Sequence, residues 1–158
     1  MAGLPACFWP WAAAYFCFAY NITVVMGESP WNARHQMGDF PGPLIPFGAL
    51  VYFMQTKKDL KAQGKFSPRT VHGIFLGDTE QPGGLWSGSY HCIAHADFVG
   101  ANMGKHQSIE HFVHIQPAQE LYLEPGKDIV FPMVPFFTRG TETMRGLVTG
   151  ALPEPPKH

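Results

Sequence analysis

The chain has 158 residues, a length that fits one domain or one small domain with flanking segments. Charged residues make up 15% of it, compared with about 25% in an average soluble domain, whereas 17 glycines and 15 prolines are an excess. This composition favours short strands and turns over a helical bundle, and an apolar content of 46% argues against a wholly disordered chain. The formal net charge of -1 gives no overall attraction for nucleic acid, so any electrostatic signal must be local.

No charged side chain precedes Glu28. A signal peptide would need a positively charged start, and a membrane span would need about 20 uninterrupted apolar residues, but Pro5 and Pro10 interrupt this run. The favoured interpretation is a helix from Pro10 to Asn21 that is apolar on every face, as in the interior of a larger body. Because this chain offers little to bury such a helix, the sequence predicts a fragment of a longer protein.

After this helix, the chain predicts a Gly- and Pro-rich connector with a short turn capped by Ser29, followed by short strands separated by turns. The strand spacing, with glycines at the corners, is typical of a small all-β barrel or sandwich. The connector covers residues 27–48, the strands cover 49–54, 70–77, 86–90 and 92–99, and weaker strand signals follow at 108–116 and 119–123. Residues 78–84 are predicted to form a turn.

The strongest local electrostatic feature is a group of basic residues with only Asp59 opposing it. Its members are Lys57, Lys58, Lys61, Lys65 and Arg69. On a loop between two strands they would form a positive edge able to contact a phosphate backbone without reading sequence. The alternative, which composition alone favours, is a solvated loop that keeps a strand edge from pairing.

Other chemistry is hard to find in the sequence. The close pairs of histidines lack the paired Cys and His spacing of a zinc site, and no serine or cysteine sits in a nucleophile motif. The three cysteines are an odd number without a disulfide framework, which fits a reducing compartment. We therefore predict no catalytic residue, no metal and no cofactor. Trp86 and Tyr90 are candidates for stacking on a base, although packing within the barrel is favoured.

Several segments, in order, resemble the copia-type retrotransposon Pol polyprotein just after its integrase core. The most specific are Lys65-Phe66-Ser67-Pro68-Arg69 and Gly73-Ile74-Phe75-Leu76-Gly77, which resemble K-[LF]-x-P-R and G-[IV]-F-[LV]-G-Y. The others are Leu4-Pro5 with Phe8-Trp9, Ala12 to Ala14, Tyr15 and Asn21; Ser29-Pro30-Trp31; Pro46 to Tyr52; and His95 to Val99, similar to the strand that ends the module. The resemblance covers about residues 3–100.

The resemblance implies a mainly β fold in three parts. Residues 1–43 would hold the last helix of an RNase H-like integrase core and a connector, residues 44–100 an SH3-like β-barrel, and residues 101–158 a partly disordered linker or tail. The family's catalytic Asp, Asp and Glu lie upstream of the helix, so we expect a non-catalytic fragment rather than an enzyme. In its inherited role the barrel would assist DNA integration.

The implied partners are DNA, bound weakly through its backbone by the five basic residues, and other integrase subunits or the rest of the polyprotein. We expect no membrane partner and an intracellular location, nuclear or cytoplasmic. Three alternatives remain open: an SH3-like protein-interaction module without a nucleic-acid role, a protein anchored in a membrane by residues 2–26, and a decayed reading frame without present activity.

Overall fold

The computed structural model describes residues 2–98 and 113–135, which contain a five-stranded antiparallel sheet. The strands are β1 (Leu50–Met54), β2 (Thr70–Glu80), β3 (Trp86–Ala94), β4 (Ile115–Ala118) and β5 (Leu121–Tyr122). The helices are α1 (Trp9–Ile22), α2 (Pro30–His35) and α3 (Lys57–Gln63), and 3₁₀ turns lie at Ala6–Phe8 and His95–Phe98. The predicted sheet is confirmed, but the described residues contain about as much helix as strand.

The sheet is open and strongly curved. Its strand order is β4-β3-β2-β1-β5, so β4 and β5 lie at opposite edges although only residues 119 and 120 separate them along the chain. Three Cα steps span at most about 11 Å. The edges of a flat five-stranded sheet would lie about 19 Å apart. The sheet must therefore curl to bring its two edges towards each other, even though no ladder joins β4 to β5 among the described residues.

Both faces of the centre of the sheet are buried, because alternate residues of β2 and β3 enter two different hydrophobic clusters. Phe75 of β2 belongs to one cluster with Val51 and Phe53 of β1. Its neighbour Ile74 belongs to the other cluster, with Ile93 of β3. The second cluster also takes in the N-terminal 3₁₀ turn and the segment around residue 133, so the ends of the described chain cover one side of the sheet.

Helix α1 confirms the predicted helix to within about one residue at each end. It has Pro10 in its first turn, where the missing N–H costs no hydrogen bond. Phe18 and Ile22 are buried, and the Tyr15 hydroxyl donates a hydrogen bond to the backbone oxygen of Ile45 at 2.8 Å. These contacts fix α1 against β2 and α2 along one side of the helix.

The opposite side of α1 is exposed, which differs from the expectation of a helix buried all round. Trp9, Phe16 and Tyr20 keep 72%, 70% and 67% of their surface accessible. Within the described ranges, no helix has both the length and the hydrophobicity needed to cross a membrane. The structure therefore contains an uncharged, aromatic helix face that the rest of the described chain leaves uncovered.

The predicted capped turn is confirmed as helix α2. The Ser29 side chain accepts a hydrogen bond from the backbone N–H of Asn32 at 3.1 Å, and Pro30 occupies the first position. Ser29 is almost completely buried, and its oxygen satisfies one of the N–H groups in the first turn that have no partner within the helix. The helix places Trp31 against Phe18 of α1.

Three local predictions are wrong. The two strands predicted at 86–90 and 92–99 are replaced by one continuous strand, β3 (Trp86–Ala94). Residues 78–80 continue β2 instead of turning, because a shift in register around Gly77 allows Asp78 to pair with Tyr90; the turn lies at 81–85. Residues 95–98 form a 3₁₀ turn rather than a strand. The chain leaves the sheet there because Phe98 is fully buried, with its ring centroid 5.9 Å from that of Phe8.

The predicted segment boundaries do not coincide with the edges of the sheet. Strands β4 and β5 lie within the predicted linker of residues 101–158, and α1, from the predicted segment 1–43, packs on β2. The predicted partly disordered linker or tail covers residues 101–158, of which 101–112 and 136–158 lie outside the described residues. The division of the chain by origin stays a prediction.

Candidate nucleic-acid interface

The five predicted cations lie in the β1–β2 connection, residues 55–69, as the sequence predicts. The ends of this connection are held together: Met54 pairs with Thr70, and the backbone N–H of Gln55 donates to the oxygen of Arg69 at 3.2 Å. The connection therefore projects as one unit from the end of the sheet where β1 stops and β2 begins.

The first half of the connection is helix α3 rather than a loop. Its first turn closes with a hydrogen bond from the N–H of Leu60 to the oxygen of Thr56 at 3.1 Å. Lysine, leucine, alanine and glutamine are all good helix formers, which accounts for this short helix. Lys57, Lys58 and Lys61 are thus displayed on one helix of seven residues.

The structure brings four of the five cations to one groove. All five side chains are exposed, and the groove, of about 590 Å³, is lined by Lys57, Lys61, Lys65 and Arg69. We call it the basic groove. Lys58 is exposed on α3 but is not among the residues that line the groove.

The positive charges of the basic groove are not compensated by carboxylates among the described side chains. The ion pair found in that part of the chain joins Lys127 to Glu124, in the segment that follows β5. Cations without a carboxylate partner are available to an anionic ligand, and they attract one most strongly at low ionic strength.

A fully exposed aromatic side chain accompanies the cations. Phe66 has 96% of its surface accessible and lies between Lys65 and Arg69 in the chain. In the sequence this phenylalanine stands out only as part of a motif, and its position on the surface was not predicted. Its position in the sequence did indicate exposure: Phe66 follows Lys65, precedes Pro68 by two residues, and belongs to no helical or strand-like repeat of apolar residues.

The two aromatic residues considered for base stacking are instead involved in packing. Tyr90 is buried in the cluster that lines one face of the sheet. Trp86 is half-buried, donates its Nε1–H to the oxygen of Ser89 at 2.9 Å, and contacts the ring of Phe40. The packing interpretation is therefore confirmed for both.

A second group of titratable side chains lies beside α1. Asp78, Glu80 and His91 line a small cavity of about 160 Å³ together with Trp11 and Tyr15. Burial raises the pKa of Asp78 to about 7, and the charge of Glu80 contributes to the same shift. Among the described residues, Oδ1 of Asp78 has no hydrogen-bond partner, which is consistent with a carboxyl group held in its neutral form.

His91 has the opposite response to the same environment. Burial lowers its pKa, so the neutral imidazole is favoured. Its Nε2 lies 3.3 Å from the hydroxyl of Thr79, and its ring meets that of Trp11 edge to face. With a neutral imidazole and a carboxyl group of raised pKa, the negative charge of this cavity comes from Glu80, in contrast to the positive charges of the basic groove.

Among the described residues, no three His, Cys, Asp or Glu side chains converge on a point where a metal ion could bind. None of the three cysteines forms a disulfide. Cys92 is buried, and burial raises the pKa of its thiol. A buried thiol of this kind is a poor nucleophile.

Comparison with known proteins finds no family model, no curated protein and no solved structure that matches this chain.

Proposed function

We propose that the basic groove and α3 bind the phosphate backbone of nucleic acid, and that the chain serves DNA integration as a non-catalytic part of a copia-type Pol polyprotein. The observation that carries the proposal is the gathering of Lys57, Lys61, Lys65 and Arg69 around one groove. The net charge of the whole chain is -1, so this cluster is not a by-product of a generally basic composition. Backbone contacts carry no sequence information, so the binding is weak and independent of sequence.

The fold proposed for the sheet is an SH3-like barrel. Its support is the curvature that two connecting residues impose on the edge strands β4 and β5, together with the pairing of β1 with both β2 and β5. Contact between the two edges would close the sheet and leave few exposed strand edges. The β1–β2 connection then projects from one end of the barrel.

The role in integration rests on the resemblance of the motifs to the copia-type family. Residues in these motifs have definite structural positions: Phe8 is buried, Tyr15 anchors α1, and Lys65 and Arg69 line the basic groove. These positions support the proposal because they link the motifs to both the core and the charged surface.

Other integrase subunits or the rest of the polyprotein are the proposed protein partners, in the nucleus or the cytoplasm. The support is the exposed side of α1, where Trp9, Phe16 and Tyr20 form an uncharged surface. Aromatic surfaces of this kind are enriched at protein interfaces.

The test is a comparison of two variants that lose the same charge. Lys57→Gln/Lys61→Gln removes two cations of the basic groove, whereas Arg34→Gln/Lys127→Gln removes two exposed cations elsewhere. Binding to a short labelled DNA is measured by fluorescence anisotropy at low salt. Because each lost phosphate contact forgoes the release of about one counterion, we expect roughly tenfold weaker binding or more for the groove variant and little change for the control.

Equal loss of affinity in the two variants would show that only net charge matters and would refute the groove as the site. Absence of binding by the wild-type protein would refute the nucleic-acid role itself, and it would favour a protein-interaction module built on the same fold.

A further inference from the structure

The strongest unexplained feature of the β1–β2 connection is the exposure of Phe66. A phenyl ring in contact with water is unfavourable, and full burial of such a side chain contributes about 1.5–3 kcal/mol. With 96% of its surface accessible, Phe66 contributes almost nothing of this kind to the fold. It stands between Lys65 and Arg69 in the chain, so a ligand that covers the ring must also accept positive charge.

The basic groove is lined by both chain neighbours of Phe66, Lys65 and Ser67, although not by Phe66 itself, and it has the features of a site for a small planar group. Its volume of about 590 Å³ lies within the roughly 300–1,000 Å³ range of small-molecule clefts. Apolar Met54 and Leu60 line it along with the four cations. Gln55 also lines it, is 9% exposed, and its Oε1 has no hydrogen-bond partner among the described residues.

From this arrangement we propose that the β1–β2 connection binds single-stranded nucleic acid in preference to duplex, with an unpaired base stacked on Phe66 and the neighbouring phosphates held by the cations of the basic groove. The inference rests on the proposed function and names its substrate class. A nucleotide combines a flat apolar face, hydrogen-bonding edges and an anionic phosphate, which match the exposed ring, the buried amide and the lysines.

The preference for single strands follows from the accessibility of the bases. In a duplex both faces of each base are stacked on neighbours, so Phe66 can reach them only if the strand is opened. In a single strand the same ring can stack directly, and such stacking tolerates any base. The cations contact phosphates in both forms, so they supply affinity without distinguishing them.

The test is the binding of a labelled oligothymidylate, an oligouridylate and a duplex of equal length to the full chain, at several salt concentrations. The variant is Phe66→Ala, with Phe66→Trp as the conservative replacement. Leu44→Ala, in the connector that precedes β1, is the matched control, because Leu44 is also an exposed apolar side chain, 73% accessible. The exposure of Phe66 means that its removal leaves the core unchanged, which thermal unfolding of each variant checks.

We expect Phe66→Ala to weaken single-strand binding by about 5- to 150-fold, the change that corresponds to stacking on one base. Duplex binding should change by less than about twofold, Phe66→Trp should retain the single-strand preference, and Leu44→Ala should behave as wild type. Comparable binding of the two oligonucleotides supports a general stacking site. A marked preference between them assigns the site to DNA or to RNA.

The inference is overturned if Phe66→Ala binds single strands as tightly as wild type, or if it weakens single-strand and duplex binding equally, while Lys57→Gln/Lys61→Gln still weakens both. That result would leave the proposed phosphate-binding function intact. Failure of the wild-type protein to bind any of the three nucleic acids would instead refute the proposed function, and the inference with it.

Discussion

Replacement of Asp78 by asparagine tests the electrostatics of the cavity beside α1. Asparagine keeps the size of the side chain but cannot become charged. In the wild-type protein, burial raises the pKa of this carboxyl group from 3.8 to about 7. The folded state therefore holds a proton that the unfolded state has released over this range, and the free energy of unfolding falls as pH rises from about 4 through 7.

The magnitude follows from the size of that shift. At about 1.4 kcal/mol for each pH unit, the full difference between the two pKa values corresponds to about 4 kcal/mol. Roughly a third of this decrease in the free energy of unfolding has already occurred at pH 5. The remaining decrease is smaller than the full shift implies, because Asp78 is partly accessible to solvent. We therefore expect Asp78→Asn to gain about 2 kcal/mol of stability relative to wild type between pH 5 and pH 8.

The assay is urea denaturation of both proteins at pH 5 and pH 8. Burial lowers the pKa of His91 and His95, so their contribution to stability falls with decreasing pH, but it cancels when the variant is compared with wild type. Asp39→Asn, at an exposed position, is the control and should follow the wild-type pH dependence. A difference between Asp78→Asn and wild type that is the same at both pH values would refute the reasoning.

Two further substitutions test the packing that holds the site. Gly73→Ala should lower the free energy of unfolding by about 1–3 kcal/mol, because the added methyl group overlaps the fully buried ring of Phe53. In denaturant unfolding, the same substitution should cost less in a Phe53→Leu background, where the ring is absent. An equal loss of stability in both backgrounds would contradict the steric explanation. Ser29→Ala should lower the free energy of unfolding by about 1 kcal/mol, because α2 loses its N-terminal cap. Nucleic-acid affinity should stay unchanged. A melting temperature equal to that of wild type would show that the cap contributes nothing to stability.

Local signals in the sequence predicted the elements that depend on neighbouring residues. The apolar run after Pro10 predicted a helix that the structure confirms, and Ser29 followed by proline predicted the confirmed cap of α2. The basic residues lie between the first two strands, as predicted, because glycine-bounded β-rich runs flank them on both sides. In each case residues adjacent in the chain determine the conformation.

What the sequence did not predict depends on contacts between distant residues. Residues 119–123 carry a weak strand signal that agrees with β5, but Tyr122 pairs with Tyr52, far along the chain, so this pairing and the curvature of the sheet follow from no local pattern. The continuation of β2 through Asp78 depends on a register shift against β3, although aspartate favours turns. A helix as short as α3 is marginal by itself, so its composition alone predicted only a charged loop.

The candidate site was predicted in its charges but not in its shape. Composition identified all five cations, while the groove that four of them share requires the pinned ends of the β1–β2 connection at Gln55 and Arg69. Phe66 was missed because apolar residues are usually assigned to a core, and only the structure reveals that this ring is outside it.

The central claim is that the cations of the β1–β2 connection bind nucleic-acid phosphates, and the most direct test is the salt dependence of binding to a single-stranded oligonucleotide. The logarithm of the association constant should fall linearly with the logarithm of salt concentration, with a slope of about −0.7 for each phosphate contact. Replacement of all five cations, Lys57, Lys58, Lys61, Lys65 and Arg69, by glutamine should bring that slope close to zero. A slope that is the same in wild type and in this variant would contradict the account.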